Sequence, residues 1–288
     1  MTKELLQYPV EQSSNLIPMF SNHIYLTTII NSLLKERLAE LYVDDLENPT
    51  VCLMIYSAFV AISGDINSEY IGQLLESVPF HKILLYPPGD SWFQLLKNQY
   101  GMRLVTPNSK RTKFSSDSLS LDHIRSLMKP LPEHLNLEPI NDKNSQLFDS
   151  NFQKAFFDLF GSSDTFLEKG FGFVILDNDK VVGAAATGNV PYNLAFEIQI
   201  IVNKDYRRQG FATLLATNLI EKSLENGFDP RWDADNDKSA AMAKKLGYTH
   251  PEIWSMSFRG KLLLVIIRKT KIVKVIIWIL TKLGKDFD

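Results

Sequence analysis

The stretch Ala195-Phe196-Glu197-Ile198-Gln199-Ile200-Ile201-Val202, then Asn203-Lys204-Asp205-Tyr206, then Arg207-Arg208-Gln209-Gly210-Phe211-Ala212, decides the reading of this 288-residue chain. The first part is apolar and rich in β-branched residues, which predicts a strand. The second is a polar turn. The third opens a helical pattern that runs on to Asn226. A strand, a glycine-bearing turn and a helix in that order form an anion site. The N–H groups of a helix's first turn have no intrahelical partner, and the helix dipole adds partial positive charge. Gly210 has no Cβ, so a phosphate can approach the backbone closely. The other reading is a basic surface turn ahead of an ordinary helix, and the flanking sequence decides between the two.

Upstream of the stretch, residues 135–140 read as a strand and 141–160 as a helix with Asn141 or Asp142 as its cap. Residues 171–176 and 180–187 read as a hairpin joined by Asp177-Asn178-Asp179. Downstream come a strand at 230–233, a helix at 238–246 capped by Asn236 and closed by Gly247, and final strands within 248–258. In the front half, residues 2–15, 24–40, 69–77, 91–100 and 120–128 read as helices. Residues 41–43, 50–55, 59–63, 81–86, 102–106 and 110–114 read as strands. Lys129-Pro130-Leu131-Pro132 reads as a domain boundary, because each proline restricts the residue before it and removes a donor. The expected organisation is therefore 1–130, a mixed α/β domain; 131–259, the domain carrying the site; and 260–288, a tail.

Arg207 to Ala212 fits the pattern Arg/Gln-x-x-Gly-x-Gly/Ala. Asn236-Asp237-Lys238-Ser239 and Lys245-Leu246-Gly247-Tyr248 follow it. Together these pieces resemble the GNAT superfamily of N-acetyltransferases over residues 135–258. Trp232-Asp233-Ala234-Asp235-Asn236, Phe171-Gly172-Phe173 and Glu197-Ile198 are similar to the subfamily that includes zwittermicin-resistance acetyltransferases. In the front half, Tyr42-Val43-Asp44, Asn48-Pro49 and Gly64-Asp65 fit the same subfamily, and glycine N-acyltransferases share the layout. The resemblance implies an α/β (α+β) fold with a mixed central sheet flanked by helices, preceded by a divergent copy of that fold.

It also implies acetyl-CoA as co-substrate and a primary amine of a small molecule as acceptor. The backbone at Ile200, Ile201 and Val202 would face the thioester carbonyl, and Arg208, Gln209, Gly210, Phe211 and Ala212 would hold the pyrophosphate. The Arg207 and Arg208 side chains either add charge there or face solvent. Asn236 and Ser239 match positions that contact the pantetheine arm. Glu197 is the candidate base; its other reading is a strand-end acid paired with a nearby lysine. The sequence departs from the pattern at Ala243, where many relatives carry a tyrosine that protonates the leaving thiolate. Tyr248 is the nearest tyrosine and reads as a packing residue. A non-catalytic acyl-CoA-binding module and a protein N-acetyltransferase are the alternative functions.

The rest of the sequence narrows the field. With 31 basic and 33 acidic residues the net charge is −2, which gives no case for nucleic acid as a partner. Cys52 is the single cysteine, so no intrachain disulfide forms; its apolar setting reads as a buried hydrophobe. Histidines 23, 81, 123, 134 and 250 show no metal-ligand spacing, and no metal is expected. The N-terminus lacks a basic start and apolar core of a signal peptide, so a cytoplasmic location is the expectation. Residues 261–285 are Ile/Val/Leu-rich with basic residues along one arc of a helical wheel. They read either as an amphipathic helix at an anionic membrane or as a helix packed on the protein itself.

Overall fold

The computed structural model describes residues 4–106 and 110–260. The basic segment 261–285 lies outside the described residues. In chain order the strands are β1 (Leu6–Gln7), β2 (Glu40–Val43), β3 (Val51–Tyr56), β4 (Phe59–Gly64), β5 (Ile83–Leu85), β6 (Leu104–Val105), β7 (Arg111–Ser115), β8 (Asn136–Pro139), β9 (Gly172–Asp177), β10 (Lys180–Thr187), β11 (Ala195–Val202), β12 (Asp229–Ala234), β13 (Thr249–Trp254) and β14 (Phe258–Arg259). The α-helices are α1 (Thr27–Lys35), α2 (Ile71–Ser77), α3 (Asp90–Tyr100), α4 (Leu121–Ser126), α5 (Asp142–Ser145), α6 (Ser150–Phe157), α7 (Ser163–Lys169), α8 (Phe211–Glu225) and α9 (Asp237–Leu246).

The chain forms two compact units. Of the described residues, one comprises 4–8, 40–106 and 256–260; the other comprises 9–39 and 110–255. The boundary expected at residue 130 falls inside the second unit. The reason is β7, which lies between β12 and β13 in the second unit's sheet and pairs antiparallel with both.

The first unit holds a five-stranded sheet in the order β1-β2-β3-β4-β5 and a small β14-β6 ladder. β2, β3 and β4 form an antiparallel meander, and β5 joins β4 in parallel. Leu74 and Leu75 of α2 and Trp92, Leu96 and Tyr100 of α3 bury themselves against Val51, Leu53, Val60 and Ile62 of the sheet. Cys52 is fully buried there, and burial pushes its thiol up out of the reactive range.

The second unit holds a seven-stranded sheet in the order β13-β7-β12-β11-β10-β9-β8. All neighbours are antiparallel except β11 and β12, which run parallel. Helices cover both faces, as a mixed sheet requires when both sides are apolar. On one face, Leu215 and Leu219 of α8 pack on Val182, Ala185 and Phe196, and Ala243 and Leu246 of α9 pack on Trp232 and Ala234. On the other, Phe148, Phe152, Phe156, Phe157, Phe160 and Phe166 meet Val174, Ala184 and Ala186.

The observed elements correct several expected ones. The described part of the helix expected at 2–15 is not an α-helix: β1 comes first, then a 3-10 helix at Val10–Phe20 with Pro18 inside it. Proline and the Ser13-Ser14-Asn15 run both disfavour a regular α-helix. The helix expected at 24–40 is the shorter α1, because Glu40 already pairs with Ile55 in the sheet. The helix expected at 141–160 is broken into α5, α6 and a 3-10 turn, since Asn141 and Asp149 each cap a separate start. Residues 102–106 contribute only the short β6, and the expected final strands divide between β13 in one unit and β14 in the other.

Candidate active site

β11 and β12 share ladder positions only at Ala195↔Asp229, Phe196↔Pro230 and Glu197↔Arg231. Past Glu197 they part. β11 continues to Val202 on β10, whereas β12 continues to Ala234 on β7. The C-terminal half of β11 therefore has an open side. Asn203 N–H donates to the Val182 carbonyl on β10 at 2.9 Å. Strand alternation then turns the backbone groups of Ile201 toward β10 and those of Ile200 and Val202 toward the opening. Of the three positions expected to face a thioester, Ile200 and Val202 offer backbone groups. The Ile201 side chain packs against the phenylalanine-rich core.

Both parallel strands lead into helices at this opening, the place where open sheets of this kind bind ligands. Beyond β11, a 3-10 turn at Lys204–Tyr206 precedes Arg207 to Gly210, all four of them exposed. Arg208 (φ 67°) and Gly210 (φ 89°) both take left-handed backbone conformations, and α8 begins immediately after. Among the described residues, the N–H groups of residues 208–212 make no hydrogen bond, and α8 has no side-chain cap. A Cβ built at Gly210 would meet nothing within 4 Å. The loop thus presents exposed, free donors at a helix start, which fits a pyrophosphate. Arg207 folds its Nε back onto the Val202 carbonyl at 3.1 Å.

Beyond β12, Asn236 begins α9. Its Oδ1 accepts the N–H groups of Lys238 and Ser239, each at 3.0 Å, and its Nδ2 donates to Asp235 at 2.5 Å. Trp232 Nε1 donates to the Ser239 hydroxyl at 3.1 Å. The Asn236 side chain is therefore spent on capping, as the helix signature predicts. Ala243 is fully buried among Phe114, Trp232 and Tyr248. The Tyr248 hydroxyl donates to the Pro230 carbonyl at 2.7 Å, and burial holds its pKa well above the ordinary value. Its role is structural, and neither position offers an acid.

Glu197 sits at the last rung before the strands part. Both of its backbone groups are held: Gly188 N–H donates to its carbonyl at 2.7 Å, and its own N–H donates to Asn189 Oδ1 at 3.0 Å. A Cβ at Gly188 would stand 2.8 Å from the Glu197 carbonyl oxygen, so only glycine permits this approach. The carboxylate accepts the Thr28 hydroxyl of α1 at 2.9 Å. It makes no salt bridge among the described residues, so the expected alternative of a lysine-paired acid is not what the structure contains. Burial, and then the nearby Asp233, push its pKa from the ordinary value up to about 7, against the lowering influence of Thr28, Arg231 and Lys113.

A cavity of about 10 Å³ adjoins this carboxylate, lined among others by Leu26, Thr27, Lys113, Arg231 and Asp233. That is room for about one water. Asp233 is engaged by Arg111, whose Nη2 also reaches the Asp233 carbonyl at 3.0 Å, and by Trp254 Nε1 at 2.7 Å. Burial raises its pKa and Arg111 opposes the rise. No cluster of metal-ligating residues occurs among the described residues. Thr28, Asn189 and Lys113 are absent from the residues the sequence singles out, because nothing local marks them; Asp233 appears there only as part of the Trp232–Asn236 element, without a role at the carboxylate. Thr28 lies 169 positions from Glu197.

The comparisons agree with this architecture. The GNAT acetyltransferase family pattern matches residues 18–256, and the chain belongs to that family. It is 29% identical over 260 residues to YdfB of Bacillus subtilis, described as an uncharacterized N-acetyltransferase, covering 86% of this chain and 95% of that one. Among solved structures, a GCN5-related N-acetyltransferase-like protein from Streptococcus suis superposes with a TM-score of 0.67 at 25% identity, covering 86% of this chain and 98% of that one. A tandem GNAT protein from the clavulanic acid biosynthesis pathway shares the fold, with a TM-score of 0.53 at 11% identity over 88% of this chain and 98% of that one. The protein is an acyltransferase of the N-acetyltransferase class. Among the described residues no helix is long and apolar enough to cross a membrane.

Proposed function

We propose that this protein moves an acetyl group from acetyl-CoA to a primary amine of a small molecule, of the antibiotic, amino acid or polyamine type. The observation that carries this reading is the placement of Glu197: a carboxylate with a pKa of about 7, beside a water-sized cavity, at the point where β11 parts from β12. Acetyl-CoA supplies an acyl thioester. The free N–H groups of residues 208–212 hold its pyrophosphate, and the outward-facing backbone of Ile200 and Val202 lines the arm's path.

An amine attacks only when neutral. A base near pH 7 is ionised enough at neutral pH to take the ammonium proton, directly or through one water in the cavity. Ala243 and Tyr248 provide no proton for the departing thiolate, so solvent or the acceptor's own ammonium provides it. The small-molecule acceptor follows the likeness to zwittermicin-resistance acetyltransferases in the Trp232–Asn236 and Glu197 elements.

A thiol-release assay with acetyl-CoA against a panel of small amines and peptides tests this. Turnover with small amines, lost in Glu197→Gln at pH 6.5–7.5, is the expected result. Turnover on peptides alone would make the protein a protein N-acetyltransferase. Coenzyme A binding without turnover on any amine would make it a binding module.

A further inference from the structure

We propose that Thr28 and Asn189 are positioning residues for the Glu197 carboxylate: Asn189 fixes where β11 presents Glu197 and where α1 presents Thr28, and the Thr28 hydroxyl favours the ionised acid. This inference rests on the reading of Glu197 as the base. Both residues are polar yet buried, Thr28 at 2% and Asn189 at 0% exposure. Burying such groups is costly unless their hydrogen bonds are met, and here they are met by one another's surroundings. Asn189 Oδ1 accepts the Glu197 N–H at 3.0 Å, while its Nδ2 donates to the Thr28 carbonyl at 3.4 Å and to the Val190 carbonyl at 2.9 Å. One amide thus ties together the strand that carries the acid and the helix turn that carries its donor. The donor then closes the loop, Thr28 Oγ1 to Glu197 Oε1 at 2.9 Å.

Among the described residues, the charged groups that face Glu197 come from other elements. Asp233 and Arg231 stand on β12 and Lys113 on β7. Both cations are committed elsewhere: Arg231 Nε donates to Asp229 at 2.9 Å and Lys113 Nζ to the Ile24 carbonyl at 2.7 Å. Thr28 makes the direct contact. It lies in the first turn of α1, where the partial positive end of the helix also favours an anion. Its β-branched side chain has few rotamers to choose from, so the hydroxyl is held on target. The residue before the helix, Leu26, takes a left-handed backbone (φ 52°), a strained entry that sets the direction from which α1 reaches the site.

The test is a carbon-13 carboxyl NMR titration of the free protein, with the Glu197 resonance assigned by its loss in Glu197→Gln. In Thr28→Val the midpoint is expected to rise by about one pH unit, and in Thr28→Ser to stay within about 0.3 of the parent. Thr28→Ala serves as a second donor-less variant if valine disturbs α1. An unmoved midpoint in the donor-less variants, with near-ultraviolet circular dichroism unchanged, overturns the proposal. A parent midpoint in the ordinary carboxylate range instead removes Glu197 as a neutral-pH base. The displacement in Thr28→Val still decides the role of Thr28 in that case.

Discussion

The two units repeat one topology with different chemistry at the same point. In the first, the meander β2-β3-β4 leads through a loop to α2, then to β5 parallel to β4, then to α3. In the second, β9-β10-β11 leads through a loop to α8, then to β12 parallel to β11, then to α9. Even the ladders match: β4 keeps β5 only over Phe59 to Ala61, and β11 keeps β12 only over Ala195 to Glu197. The loops differ. After β4, Asp65 uses its carboxylate to accept Asn67 N–H at 2.9 Å and its carbonyl to accept Ser68 N–H at 3.1 Å. Asn67, Ser68, Tyr70 and Ile71 spend their N–H donors within the turn, which carries negative charge and leads into a short helix. After β11, Arg208 to Ala212 leave their donors free, carry positive charge and lead into a helix twice as long. The fold is shared; the free donors and the positive charge stand in the second unit's loop.

That contrast breaks most readily at Gly210. Gly210→Asp suits the left-handed backbone but sets a carboxylate among the donors. Calorimetric affinity for coenzyme A is expected to fall by about 100-fold or more, equivalent to the loss of two charge-assisted hydrogen bonds. Next in size is Glu197→Gln, expected to lower turnover about 100-fold at pH 7.

The same variant sharpens the comparison through stability. The folded acid holds its proton to about pH 7, whereas the unfolded chain releases it near the ordinary value of 4.5. Between those pH values the native state binds more protons, so stability falls as pH rises and the loss is complete above pH 7. Glu197→Gln removes that loss, and urea denaturation is expected to show a gain of about 1–3 kcal/mol at pH 8 relative to pH 4.5. Ala243→Tyr is expected to cost about 1–3 kcal/mol of stability by overfilling the core around Trp232, with no gain in rate. The smallest effect belongs to the first unit: Asp65→Gly is expected to change coenzyme A affinity less than about twofold, within the range of a substitution away from a site.

Local signals made the central elements legible. β11, the turn and α8, the β9–β10 hairpin and the Asn236 cap all follow from patterns a few residues long, and the structure holds them where expected. Glu197 was legible as an acid on the right strand. What the sequence hides is long-range. β7 enters the second sheet between β12 and β13, which no local pattern announces and which moves the boundary from residue 130 to before β7. Residues 9–39 join the second unit for the same kind of reason, bringing Thr28 to Glu197. Ile201 shows a finer limit: its type fits the site, but whether its backbone faces the opening depends on register, and a one-residue step reverses it.

The most direct measurement is a coenzyme A titration followed by the backbone amide resonances of the labelled protein. The account predicts shifts at residues 208–212 and at Ile200 and Val202, with residues 65–70 unmoved. Shifts at 65–70, or none at 208–212 under saturating coenzyme A, would contradict it.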